Sequence, residues 1–158
     1  MYGSRPLSRL ESALYVIVVS VLMLVLLDRM LAYFEYAERA AVQTTLLNTE
    51  AALDLRLAYD VMRGAAPDRE AWSAHNPFEQ AKMMVPNYAG ERVAPDARLL
   101  EDGKWVYDRA AHQLIYVPRF NRGLSIEGGG AALRFRLSVG APDGIPRLVP
   151  VARYRWEP

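Results

Sequence analysis

The sequence predicts an α+β fold: a long N-terminal helix whose first half spans a membrane and whose C-terminal half packs on a small antiparallel sheet of about four strands. Three observations carry that expectation. Residues 12–27 are sixteen positions without a charge, a proline or a glycine. Residues 30–63 also lack glycine and proline and are rich in Ala, Leu, Glu, Gln and Arg, all good helix formers. From Lys104 onward the apolar spacing shortens to two, the period of a strand.

The apolar run comes first. At 1.5 Å per residue it covers roughly 24 Å, short of the ~30 Å hydrocarbon core. Leu10 and residues 30–32 lengthen it, and Arg9 and Arg29 flank the anchor, snorkelling to the two interfaces. A buried core helix would need its whole circumference covered, and a chain of 158 residues has little to cover it with. A cleaved secretory signal is opposed by Asp28 and Arg29 directly after the run and by the lack of a small-residue A-x-A site. The expectation is an uncleaved anchor. Arg5 and Arg9 precede it, against a balanced Asp28 and Arg29 after it. The positive-inside rule then keeps the short N-terminus in the cytoplasm and sends the remainder across.

Beyond the anchor the helical pattern continues and becomes amphipathic. Val42, Leu46, Leu53, Leu57 and Val61 recur at spacings of four and seven, with Leu47, Ala51, Ala58 and Met62 on the adjoining stripe. Glu38, Gln43, Glu50, Asp54 and Arg56 fall mostly elsewhere. Gly64, followed by Pro67, is the expected stop, with Arg63 in the last turn complementing the dipole. No heptad is sustained over several repeats, which argues against a coiled coil. The two halves make one helix of about 55 residues.

Residues 65–98 are broken by Pro67, Pro77, Pro86 and Pro95. Short helices are expected at 68–73 and, capped by Asn76 with Pro77 at its first position, at 77–84. Trp72, Phe78, Met83 and Tyr88 are expected to fold this loop onto the core. Residues 104–108 (KWVYD) and 113–117 (QLIYV) then read as an antiparallel hairpin, with Trp105 and Tyr107 on one face and Leu114 and Tyr116 on the partner. In 131–139, Leu133, Phe135, Leu137 and Val139 alternate with Arg134, Arg136 and Ser138. Pro142, Asp143 and Gly144 form a turn signature, and 148–156 reads as a last strand whose Pro150 belongs at a sheet edge. The sheet is expected to put one face on the helix and the other in solvent. The domains are therefore a short basic cytoplasmic leader (1–11), a transmembrane helix (12–29), its amphipathic continuation (30–64) and a globular loop plus sheet (65–158).

Composition excludes several functions. Net charge is +1, so no strong field invites nucleic acid, and Arg119, Arg122, Arg134 and Arg136 read as a solvated sheet face. There is no cysteine, hence no disulfide, thiol nucleophile or cysteine metal site. His75 and His112 fall in a loop and a hairpin turn, without a second ligand at metal spacing. Ser125 and Ser138 lack a G-x-S-x-G context, and Asp102, Asp108 and Asp143 read as isolated acids near turns. No calcium-loop run occurs, and Gly128 to Gly130 is not followed by a phosphate-binding helix. No catalytic residue, metal or cofactor is expected.

The order of these parts resembles a known family. A basic leader, Glu11 opening the apolar run and an amphipathic continuation are followed by the loop Asn76-Pro77-Phe78 … Pro86-Asn87-Tyr88-Ala89-Gly90. The hairpin Trp105-Val106-Tyr107-Asp108 … Leu114-Ile115-Tyr116 comes next. Together they resemble type IV pilins and type II secretion pseudopilins, whose hairpins share a W-x-Y-D … L-x-Y pattern. The resemblance implies a structural, non-enzymatic filament subunit of a bacterial inner membrane, with a periplasmic or extracellular sheet domain. Its implied partners are other pilin or pseudopilin subunits, an inner-membrane platform protein, an assembly ATPase acting through it, a prepilin peptidase, and membrane lipid. It further implies that Glu11 pairs with a neighbouring subunit's N-terminal amine. The leader departs from the pattern. With Glu11 at the family's fifth mature position, the cut falls between Pro6 and Leu7, where the family has a glycine. A bitopic accessory protein that stays in the membrane and binds partners through its periplasmic domain is therefore the alternative.

Overall fold

The computed structural model describes residues 9–65, 68–140 and 144–157. They form two compact units, the first ending at Phe34 and the second beginning at Glu35. The leader before Arg9 and most of the turn signature (Pro142 and Asp143) lie outside the described residues.

Helix α1 runs Arg9–Met62, 54 residues, as the absence of Gly and Pro requires. Gly64 ends it at φ +77°, a conformation a side chain would resist. The Gly64 amide bonds Val61 O at 3.0 Å and the Ala65 amide bonds Asp60 O at 3.0 Å, the paired closure of a Schellman motif. Asp68 caps α2 (Arg69–Ala74), and Asn76 caps α3 (Pro77–Gln80) with proline in the first turn. The second of these is shorter than the sequence suggests, because Lys82 turns to φ +52°.

The sheet has five strands rather than four and is mixed rather than antiparallel. Its order is β1 (Tyr88–Arg92), β2 (Lys104–Asp108), β3 (Gln113–Val117), β5 (Leu133–Val139), β6 (Pro146–Pro150). The unexpected strand is β1, parallel to β2, with an irregularity between Tyr88 and Glu91 around Gly90 at φ +88°. The hairpin matches expectation, pairing Trp105 with Tyr116 and Tyr107 with Leu114. The expected last strand is two: β6 in the main sheet and β7 (Tyr154–Trp156), which pairs with β4 (Leu124–Ile126) in a separate two-stranded sheet.

Within the second unit the core lies between one sheet face and the later turns of α1. Val42 and Leu53 meet Phe78, Trp105, Tyr107, Leu114, Tyr116, Phe135 and Leu137, with Trp72, Met83 and Tyr88 packed around them. Phe78 and Trp105 stack edge-on at 5.6 Å, and Trp105 and Tyr116 lie 4.7 Å apart. The opposite hairpin face is not in solvent as expected. Val106, Ile115 and Val117 are buried there against Leu100 and Ala132, because residues 93–103 fold over it. On β5 the alternation holds, with Leu133, Phe135 and Leu137 buried and Arg136 and Ser138 exposed.

Strand β6 is an edge. The Val151 amide just past it bonds inward to Arg134 O at 2.9 Å, so the amides at 146, 148 and 150 face outward. Two of those positions are proline, and the third amide, Leu148 N–H, donates to Glu50 Oε1 at 2.7 Å.

Candidate functional site: an apolar helix and the carboxylates along it

The large apolar side chains from Leu10 to Leu27 are all exposed, between 47 % at Val18 and 83 % at Leu10. Glu11 stands in the first turn of α1, where an acid suits the helix dipole, and Arg9 and Arg29 flank the run, all three exposed. This helix is long and apolar enough to cross a membrane.

Further along α1, in the second unit, three carboxylates bind the sheet domain. Glu35 is 3 % exposed, and its Oε1 accepts the Gly123 amide at 2.8 Å and the Trp156 indole N–H at 3.0 Å. Glu38 Oε1 accepts Tyr116 O–H at 2.7 Å and the Arg119 amide at 2.9 Å, while Oε2 accepts the Phe120 amide at 2.9 Å. Glu50 takes the Leu148 amide, and its Oε2 lies 3.5 Å from Arg147 Nη1. Periodicity alone sets Glu38 and Glu50 mostly off the apolar stripe, yet both face the sheet. Thr49 is fully buried beside them, donating to Thr45 O at 2.7 Å. The available signal was heptad spacing, since Glu35, Val42 and Thr49 fall on one line. Burial of the Tyr116 hydroxyl, and then its bond to Glu38, push its pKa above the ordinary range.

Asp108 is not an isolated acid. It is 4 % exposed, and its Oδ1 accepts the amides of Ala94, Ala110 and Ala111 at 3.0, 2.9 and 3.3 Å. It closes the hairpin turn and holds Ala94 at φ +45°.

The two histidines, read from sequence as separate, line one polar pocket of about 310 Å³ with Asn76, Glu79, Glu91 and Tyr107. Tyr107 O–H donates to Ala74 O at 2.9 Å, so His112 Nδ1, 3.3 Å away, must carry the proton it shares with that oxygen. His75 Nδ1 faces Ala71 O and must also be protonated. Burial, and then the Glu91 charge, push Tyr107 up to about 12. Among the described residues, no group of three or more His, Cys, Asp or Glu is placed to hold a metal.

Comparison with protein-family models, with curated proteins and with solved structures finds no match to this chain. Its class is defined by architecture: an α+β chain with one N-terminal helix able to cross a membrane and a five-stranded mixed sheet fastened to that helix's later turns.

Proposed function

We propose that this chain is a structural subunit of a type IV pilus or type II secretion pseudopilus-like filament, inserted in a bacterial inner membrane and assembled through its N-terminal helix. Its N-terminus is cytoplasmic and its sheet domain lies on the far side. One observation carries the reading: an exposed apolar helix, entered through Glu11, continues into turns that carry a sheet domain. Such a surface needs lipid or other helices, and helices packing in and just above the bilayer supply the assembly force. Glu11 meets a positive group of a neighbouring subunit there, the charge pairing that the resemblance implies. The partners are further subunits, membrane lipid, an inner-membrane platform protein and, through it, an assembly ATPase.

Glu11→Gln and Glu11→Leu are the test. Both variants insert, since the apolar run is untouched, and both are lost from the sheared-filament fraction. The second reading, a bitopic accessory protein, is favoured by Pro6 standing where the leader's last residue, a glycine in the family, belongs. It predicts wild-type protein confined to the membrane fraction and function surviving either substitution, results that overturn the filament reading.

A further inference from the structure

A second cavity, of about 230 Å³, opens in the second unit where the chain twice passes between the main sheet and the two-stranded one. Residues 127–132 lead from β4 to β5, and residues 151–153 lead from β6 to β7. Ile126, Leu133, Val151 and Tyr154 form its apolar wall. That wall is held in place. Ile126 pairs with Tyr154 across β4 and β7, the Tyr154 ring meets Phe135 edge-on at 6.0 Å, and the Val151 amide bonds Arg134 O at 2.9 Å.

The polar end of the cavity carries donors without acceptors. Arg134 lines it, half-buried, and alternation along β5 turns its side chain away from the core face that Phe135 occupies. Among the described residues that side chain has no hydrogen-bond or ion-pair partner, not even Glu127, an exposed acid on the same rim. Next to it, Gly128, Gly129 and Gly130 stand at φ +84°, +78° and +133°, a path that side chains would resist. The Gly129 amide donates to Ile126 O at 3.1 Å. The amides of Gly130 and Ala131, both lining the cavity, have no acceptor among the described residues.

A guanidinium beside main-chain N–H groups is a donor set that takes a carboxylate, and the apolar wall selects what the carboxylate is attached to. The volume lies below the roughly 300–1,000 Å³ of a drug-sized site, so there is room for one small apolar group. Glu127 on the rim repels a second negative charge, which favours a monocarboxylate. We propose that this cavity binds a carboxylate borne on one small apolar group, the carboxylate held by Arg134 and the Gly130 and Ala131 amides. Ile126, Val151 and Tyr154 enclose the apolar part. Two sources supply that chemistry: a free short carboxylic acid, and the last residue of a polypeptide with an apolar C-terminus. The site lies within the second unit and holds whether or not the chain enters a filament.

Calorimetric titration of the full chain in detergent is the test. N-acetyl-leucine binds saturably, and N-acetyl-leucinamide, the same shape without the charge, binds roughly tenfold or more weakly. Arg134→Gln lowers the affinity for N-acetyl-leucine to that of the amide without moving the thermal unfolding of the chain. Ala97→Phe, which fills the cavity from its lining, abolishes binding. Isocaproate binding as tightly as N-acetyl-leucine identifies a free acid as the source. A leucine-ended peptide that binds tighter than both, and loses that gain on C-terminal amidation, identifies a polypeptide end. Equal binding of acid and amide overturns the proposal, a comparison made on the wild type alone and so independent of how any variant folds. Undiminished affinity in folded Arg134→Gln, or no saturable binding of any of the three carboxylates, overturns it as well.

Discussion

The indole N–H of Trp156 donates to Glu35 Oε1 at 3.0 Å, tying the last strand to a buried carboxylate on α1 that is 121 positions away in sequence. Because the same oxygen takes the amide of half-buried Gly123, Glu35→Leu strands two donors at once. The expected loss is about 1–3 kcal/mol for each donor. Glu35→Gln keeps an acceptor and costs less. Chemical denaturation of the detergent-solubilised protein measures both, and equal stability of wild type and Glu35→Leu contradicts the role assigned to this contact.

Alkaline pH tests the neighbouring carboxylate. Tyr107, raised to about 12 by burial, and Tyr116, raised by burial and by Glu38, hold their protons more tightly folded than the unfolded value of 10.0. A folded pKa above the unfolded one gives stability that is complete below pH 10 and is lost as pH rises towards about 12. Stability followed by denaturation across that window falls steeply in the wild type. In Tyr116→Phe the fall is shallower, and an unchanged slope shows that this hydroxyl is not titrating.

Two leucines two positions apart on α1 have opposite fates. Leu53 is fully buried and Leu55 is 74 % exposed. Leu53→Ala leaves a cavity and costs about 2–5 kcal/mol, whereas Leu55→Ala stays within about 0.5 kcal/mol. Thermal unfolding of the two variants side by side decides whether α1 is rotated as described.

Asp108→Ala removes the acceptor of three amides and frees Ala94 from its left-handed conformation. Amide exchange at 94, 110 and 111 should accelerate together while exchange at Ile115, in the centre of β3, stays slow. Asp108→Asn keeps one acceptor oxygen and leaves those amides largely protected. Independent exchange at the three positions counts against Asp108 as their common tie.

Local chemistry made much of this fold legible. The α1 stop at Gly64, the caps Asp68 and Asn76, and the hairpin register are set by residues within a few positions of where they act. The exposed span with Glu11, Arg9 and Arg29 is equally local. What stayed hidden depends on distant partners. Strand β1 contains Ala89 and Gly90, weak strand formers, and exists because β2 offers it a parallel edge. The stretch from Leu148 to Trp156 changes sheets because β4, a three-residue strand, pairs with its end. Glu35, Glu38 and Glu50 face inward because unpaired loop and edge amides wait there, and an apolar periodicity does not register such donors. The pocket uniting His75 with His112 arises because the hairpin turn comes up against the end of α2, a meeting no spacing encodes.

The outer edge of β6 bears on whether an assembly can be undone. Copies held side by side are at very high local concentration, the condition under which exposed strand edges join and stay joined. Pro146 and Pro150 offer no donor, and Glu50 occupies the amide between them. A neighbouring strand therefore finds no outward amide along this edge, and chains can be crowded together without locking there through main-chain ladders. Contacts made instead by side chains, with no main-chain ladder between them, can be released one chain at a time.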